Sequence, residues 1–111
     1  MKNLKHKNIS IHKNSIAYCH IPENKSNNIP GIVFLCGFMS DMEGEKAKFL
    51  RNKCINQGRE FLSFDYSGHG MSTGDFEEGN ISLWLNEALF LIKKLTHGPQ
   101  ILVGSSMGGW I

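Results

Sequence analysis

Near its carboxyl end the chain reads Ile101-Leu102-Val103-Gly104-Ser105-Ser106-Met107-Gly108-Gly109. The three apolar residues predict a buried strand, and the residues after them fit the pattern G-x-S-x-G with Ser106 as its serine. This pattern describes a sharp turn that lifts a serine hydroxyl above a sheet edge, and it needs small residues on either side, here Gly104 and Gly108. The preceding serine does not fit, because a methionine stands two positions after it. The residues predict a nucleophile at Ser106, against the alternative of a glycine turn in which Ser106 only caps a helix.

A hydrolytic serine also needs N–H donors for the oxyanion of its tetrahedral intermediate. Met107 begins the segment after the serine, so its backbone N–H can supply one donor. The second is predicted in the segment Cys36-Gly37-Phe38-Met39, which follows another apolar run. There Gly37 permits a turn and Phe38 can offer its N–H, although a glycine that merely ends a strand would look the same.

The rest of the chain alternates between strand and helix patterns. Residues 32–36 and 61–64 are apolar runs typical of buried strands. Residues 44–57 have helical spacing and end at Gly58, and the segment 67–79 is rich in glycine and predicts a loop. Asn80 can cap a second helix that should be largely covered, with an apolar stripe of Ile81, Trp84, Leu85, Ala88, Ile92 and Leu95.

Before these elements, residues 8–21 alternate in polarity around Lys13-Asn14 and predict a β-hairpin with one wet face. The predicted fold class is therefore α/β: one incomplete domain over residues 1–111, with a mostly parallel sheet and helices on both faces. It comprises the hairpin at about 8–21, a β-α-β-α-β unit at about 31–104 and the start of a helix at 106–111.

Composition sets further limits. The chain has 111 residues, 41% of them hydrophobic and 20% charged, which is typical of one small globular domain. It has no apolar run long enough to span a membrane. Its three cysteines and five histidines have neither disulfide-framework nor metal-ligand spacing, so we expect no metal and no cofactor. Four lysines and no acid in residues 1–22 allow a nucleic-acid or membrane patch, but a solvated strand pair is favoured and no nucleic-acid partner is expected.

The glycine-rich segment Asp65-Tyr66-Ser67-Gly68-His69-Gly70-Met71-Ser72-Thr73-Gly74 admits several interpretations. A dinucleotide fingerprint fails, because Thr73 stands where the third glycine belongs and no helix begins there. His69 could be a catalytic base, but a histidine between two glycines is expected in a mobile turn. A tight turn that shapes the rim of a site is favoured.

Three separated blocks in this order resemble the α/β-hydrolase superfamily: Gly37-Phe38, residues 65–72, and residues 98–110. The last block is similar to the group that contains the palmitoyl-protein thioesterase and mycophenolic acid acyl-glucuronide esterase, and its bacterial relatives. The resemblance implies a serine hydrolase for small-molecule acyl esters or thioesters, with Ser106 as nucleophile and the N–H groups of Phe38 and Met107 in the oxyanion hole. Asp65 would be structural. Cys36 departs from the family pattern, because many relatives carry histidine at this position, directly before the glycine.

The family orders its triad as serine, acid and then histidine, and no Asp or His follows Ser106 here. We therefore expect the chain to be the N-terminal part of an enzyme that is active only with a C-terminal half. The alternative is an inactive truncated or split-gene product, with an exposed sheet edge at residues 100–104. The expected compartment is the cytoplasm of a bacterium, or the mitochondrion if the protein is eukaryotic. Substrate specificity and oligomeric state have no signal in the sequence.

Overall fold

A computed structural model describes residues 6–23, 29–109 and 111. The first five residues, with part of the predicted basic segment, lie outside the described residues, as does Trp110 of the predicted nucleophile helix. A β-hairpin opens the fold, formed by β1 (Lys7–Ile11) and β2 (Asn14–Ile21). The predicted turn is wrong by one residue, because Asn14 already pairs with Ile11. His12 instead takes the positive φ of 53° that a tight two-residue turn requires.

The sheet continues with β3 (Gly31–Leu35), β4 (Phe61–Phe64) and β5 (Gln100–Gly104). The strand order is β1-β2-β4-β3-β5, in which β4, β3 and β5 run parallel and β2 runs antiparallel to β4. This confirms the predicted α/β class with its preceding hairpin. Because β3, β4 and β5 share one direction, the loops that follow them leave the sheet at the same edge.

Two helices cover the sheet. The helix α1 (Glu45–Gln57) joins β3 to β4, and α2 (Ile81–Leu95) joins β4 to β5. β4 and β5 lie on opposite sides of β3, so right-handed crossovers place the helices on opposite faces. Neither helix in the described part of the chain is long and apolar enough to cross a bilayer.

The helix ends follow their sequence signals. Gly58 takes a φ of 68° and donates its N–H to the last carbonyls of α1, which confirms the predicted stop. Asn80 Oδ1 accepts the Leu83 N–H at 2.8 Å, which confirms the predicted cap of α2.

The buried face of α2 differs from the predicted stripe. Trp84, Glu87, Ala88 and Leu91 are buried, whereas Ile81 is exposed. The stripe was inferred from hydrophobicity alone, and the helix is rotated so that the Glu87 carboxylate points inward to accept the Ser67 N–H at 2.8 Å. The expectation that α2 is largely covered is also wrong for the described residues, because further apolar side chains on it, Leu89 and Phe90, are exposed.

The last strand is more exposed than its run of apolar residues predicts. Residues 101–103 form a continuous apolar run, yet Ile101 is 45% and Leu102 is 56% exposed. In the described part of the chain β5 is the outermost strand beside β3, so its outer edge has no neighbour. The burial predicted from the apolar run is therefore not seen, whereas the exposed edge at residues 100–104, expected for a truncated chain, is present in the described residues and has the features of an association surface.

A polypeptide of residues 1–111 alone should self-associate through the outer edge of β5, which is open in the described residues. Leu102→Lys should weaken this association, because a charge on an exposed edge opposes pairing with another chain. Sedimentation velocity over a wide concentration range measures it, with Leu89→Lys on α2 as the control that leaves association unchanged. A monomer at every concentration, or an equal effect of both variants, would contradict the expectation.

Candidate active site

Ser106 occupies a strained turn at the carboxyl end of β5. Its φ is 55°, a left-handed conformation that costs about 1–3 kcal/mol in a residue with a side chain. The residue is exposed and begins a short 3₁₀ helix, Ser106–Gly109. This is the strand-to-turn context that a G-x-S-x-G serine requires.

The glycines on either side of Ser106 leave no room for a side chain. A Cβ on Gly104 would lie 2.5 Å from the backbone carbonyl carbon of Gly108, and a Cβ on Gly108 would collide with the Leu35 carbonyl oxygen. The Ser105 N–H also donates to the Leu35 carbonyl at 3.0 Å. The turn is therefore packed backbone against backbone on the end of β3.

The segment predicted to supply a second oxyanion donor lies against this turn. A Cβ on Gly37 would be 3.0 Å from the Ser105 carbonyl oxygen and 3.3 Å from the Ser106 Cβ. The Ser40 N–H donates to the Gly37 carbonyl at 3.1 Å and Met39 has a φ of 59°, so the chain turns sharply here. The structure thus brings the segment of Phe38 and the start of the Ser106 turn together. That the N–H groups of Phe38 and Met107 face a substrate oxygen stays a prediction.

Asp65 ties this loop to the glycine-rich segment. Its carboxylate is buried and accepts the Met42 N–H at 2.8 Å and the Met71 N–H at 2.9 Å. Burial raises the pKa of the Asp65 carboxyl, the two N–H bonds oppose the shift, and the charges of Asp41 and Glu43 add to it. Asp65 therefore has the contacts of a structural residue.

His69 lies in the glycine-rich segment and is buried. The side chain is 4% exposed, and its Nδ1 lies 3.1 Å from the Ser67 carbonyl oxygen. Its Nε2 is buried without a hydrogen-bond partner among the described residues, so it does not contact the Ser106 hydroxyl. The His69 ring packs against the rings of Phe38, Phe76 and Trp84, so the segment has the tight turn that the sequence favours.

Cys36 takes the position where many relatives of the resembled family carry histidine. Its thiol is buried and donates to the Phe64 carbonyl at 3.6 Å. Burial, and to a smaller extent the charges of Asp65 and Asp41, raise the pKa of this thiol to about 12. Cys36 therefore stays protonated at neutral pH and is not an activated nucleophile.

Two residues near the site were not predicted from the sequence. The Lys46 Nζ lies 3.5 Å from the Ser105 Oγ at the rim of a cleft of about 540 Å³. The buried Glu87 holds the glycine-rich segment through the Ser67 N–H. Neither belongs to a local motif, because both act on residues distant in sequence. The described residues hold no group of three or more potential metal ligands.

The chain is similar to known hydrolases over most of its length. No protein-family model matches it. It is 40% identical over 107 residues to the mitochondrial palmitoyl-protein thioesterase ABHD10 of Bos taurus, covering 90% of this chain and 35% of that protein. The chain therefore spans about a third of the length of this curated relative.

Two solved structures share its fold. The mouse alpha/beta hydrolase domain-containing protein 10 is 36% identical with a TM-score of 0.87, and the match covers 96% of this chain and 42% of that one. A protein of Agrobacterium vitis S4 described as a hydrolase is 37% identical with a TM-score of 0.89, covering 98% and 43%.

The contact between Gly108 and β3 predicts an effect of a single methyl group. Gly108→Ala should lower the free energy of unfolding by about 3 kcal/mol, because the new Cβ overlaps backbone that cannot move aside. Gly109→Ala is the matched control: its Cβ would meet nothing within 4 Å, so a change within about 0.5 kcal/mol is expected. Urea denaturation measures both, and equal effects of the two substitutions would show that the Ser106 turn is not packed against β3 as described.

The buried Asp65 predicts a pH dependence of stability. Because its pKa is raised in the folded state above the ordinary value of 3.8, the folded state binds the proton more tightly. The contribution of this group to stability is thus lost as pH rises through the window between 3.8 and the raised value. The free energy of unfolding, relative to that of Asp65→Asn, should therefore increase as the pH falls through this window. Asp75→Asn, at an exposed carboxyl, is the control, and the same pH dependence in the protein and in Asp65→Asn would refute the assignment.

Proposed function

Because this chain is homologous to the amino-terminal part of α/β hydrolases, we propose that it carries the nucleophile of a serine hydrolase that cleaves carboxylic esters or thioesters. The observation that carries the proposal is the exposed Ser106 at a positive φ, with the Gly37 turn packed against it. The left-handed turn holds the serine at the sheet edge where the loops of β3 and β4 also meet. A serine that only capped a helix would not need a glycine at position 108 packed against the end of β3.

The proposed reaction passes through an acyl-enzyme. The Ser106 Oγ bonds to the substrate carbonyl carbon while its proton passes to a general base, and the Phe38 and Met107 N–H groups stabilise the oxyanion. The bond from carbon to the leaving oxygen or sulfur then breaks, and the leaving group takes up the proton. Water, deprotonated by the same base, attacks the acyl carbon and releases the acid and the Ser106 hydroxyl.

The base and its orienting acid are not among residues 107–111, which contain no Asp, Glu or His. In α/β hydrolases both follow the nucleophile in the chain. We therefore assign hydrolysis to the full-length natural protein and expect negligible turnover from the 111 residues alone, since loss of triad members costs on the order of 10⁴ to 10⁶ in rate.

The substrate class is proposed from the chemistry of the site and from the relatives. The bovine relative is named a palmitoyl-protein thioesterase, which favours an acyl thioester or ester as substrate. The site needs no cofactor for this reaction, because the serine, a base and the oxyanion donors suffice. The compartment remains a prediction: the cytoplasm for a bacterial protein, or the mitochondrion for a eukaryotic one, as in the name of the bovine relative.

An inactive chain is the second candidate, and one observation favours it. The apolar outer edge of β5 is exposed in the described residues, which is the open sheet edge that this candidate predicts. A protein of this kind would keep the fold of the Ser106 turn but would have no base to activate the serine.

A fluorophosphonate probe distinguishes the two candidates in the full-length natural protein. Its phosphorus should bond to the Ser106 Oγ with loss of fluoride, and Ser106→Ala should abolish labelling. Ser105→Ala is the matched control and should keep the label, because Ser105 lies outside the G-x-S-x-G frame. Peptide mapping by mass spectrometry locates the adduct. A folded protein that is not labelled, or a label on Ser105, would refute the proposal.

A further inference from the structure

The Phe38 ring sits on a group of aromatic side chains, here called the aromatic floor: His69, Phe76 and Trp84. Its centroid lies 5.0 Å from the Phe76 ring, 6.3 Å from Trp84 and 6.5 Å from His69. All three contacts are edge-on, with interplanar angles of 69° to 77°, an arrangement that aromatic rings favour.

The aromatic floor is held by hydrogen bonds behind it. Trp84 donates its Nε1–H to the Ser67 carbonyl at 3.1 Å, and His69 Nδ1 lies 3.1 Å from the same oxygen. The Ser67 N–H is in turn bound by the buried Glu87 carboxylate at 2.8 Å. The rings also contact one another, with His69 5.1 Å from both Phe76 and Trp84.

Close backbone packing fixes the aromatic floor further. A Cβ on Gly79 would collide with the Trp84 indole, and a Cβ on Gly68 would lie 2.7 Å from the Phe76 Cα. The glycines of this segment therefore let its backbone close tightly around the rings. This gives the aromatic floor little freedom to shift under the ring that it carries.

Phe38 itself is 52% exposed, and its neighbour Met39 is at a positive φ in a turn that protrudes into solvent. A protruding turn of this kind needs a side-chain contact that holds its conformation. The Phe38 ring supplies that contact, because it joins the turn that lies against Ser106 to the rings of the glycine-rich segment and of α2.

We infer that the aromatic floor positions the oxyanion donor: by seating the Phe38 ring, Phe76, His69 and Trp84 hold the Phe38 N–H in place beside Ser106. They are positioning residues and do not touch the substrate in this role. The inference rests on the proposed function and adds the contacts that orient one of the two oxyanion donors, the Phe38 N–H. A donor displaced by about 1 Å can cost on the order of 10²-fold in rate, so the effect belongs in kcat rather than in KM.

The test uses the full-length natural protein with a chromogenic thioester and a trifluoromethyl ketone, which mimics the oxyanion. Phe38→Ala keeps the backbone N–H but removes the ring, and Phe76→Ala removes the ring on which Phe38 packs. Each should lower kcat by about 10-fold to 100-fold with little change in KM, and should weaken ketone binding by a similar factor. Phe76→Tyr keeps a ring at the same place and should retain most of kcat. The double variant Phe38→Ala with Phe76→Ala should lose no more than Phe38→Ala alone, because both remove one contact.

Phe90→Ala, which removes an exposed ring from α2 outside the aromatic floor, is the control and should leave kcat unchanged. Thermal unfolding checks that each variant is folded. If Phe76→Ala does not fold, Phe38→Ala tests the same contact, because loss of its half-exposed ring removes the contact from the other side. Unchanged kcat and ketone affinity in Phe38→Ala, an equal loss in Phe76→Tyr and Phe76→Ala, or additive losses would each overturn the inference. Ser106→Ala distinguishes failure of this inference from failure of the proposed function. If Ser106→Ala abolishes turnover while Phe38→Ala does not lower kcat, only the inference fails. If Ser106→Ala retains turnover, the proposed function fails.

Discussion

The structure depends on a contact in which two backbones meet with no side chain between them. The Ser106 turn rests on the carboxyl end of β3, where the Leu35 carbonyl accepts the Ser105 N–H and faces the Cα of Gly108. Gly37 completes the contact from the other side by approaching the Ser105 carbonyl. Any side chain at these glycines would push the turn away from the strand, so the position of the serine follows from the space that they leave open.

The parallel strands make this contact possible, and buried polar groups keep the surrounding loops in place. β3 and β5 lie side by side with Leu35 opposite Gly104, so their following loops must share one edge. The Asp65 carboxylate joins the loop after β3 to the loop after β4, and Glu87 on α2 holds the loop after β4 through the Ser67 N–H. Burying a carboxylate is costly unless backbone N–H groups replace the water around it, and both acids accept such bonds.

Much of this arrangement could be predicted because its signals are local. An apolar run followed by G-x-S-x-G predicts a strand and a turn, and Gly58 and Asn80 mark helix ends through their own backbone and side-chain chemistry. The predictions that were wrong concern residues whose surroundings depend on neighbours distant in the sequence. The exposure of Leu102 follows from the place of β5 in the sheet, and the inward side of α2 follows from the bond between Glu87 and Ser67. The packing of His69 follows from the rings of Phe38, Phe76 and Trp84. The pattern of hydrophobic residues does not encode strand order or long-range hydrogen bonds, so these features could be seen only in the three-dimensional structure.

The central claim is that Ser106 and the Phe38 turn form one preorganised site. The most direct measurement is a crystal structure of the full-length natural protein after reaction with a phosphonate. The account predicts phosphorus bonded to the Ser106 Oγ, with a phosphoryl oxygen within about 3 Å of the backbone nitrogens of Phe38 and Met107. A phosphorus atom on another residue, or a phosphoryl oxygen turned away from both nitrogens, would contradict it.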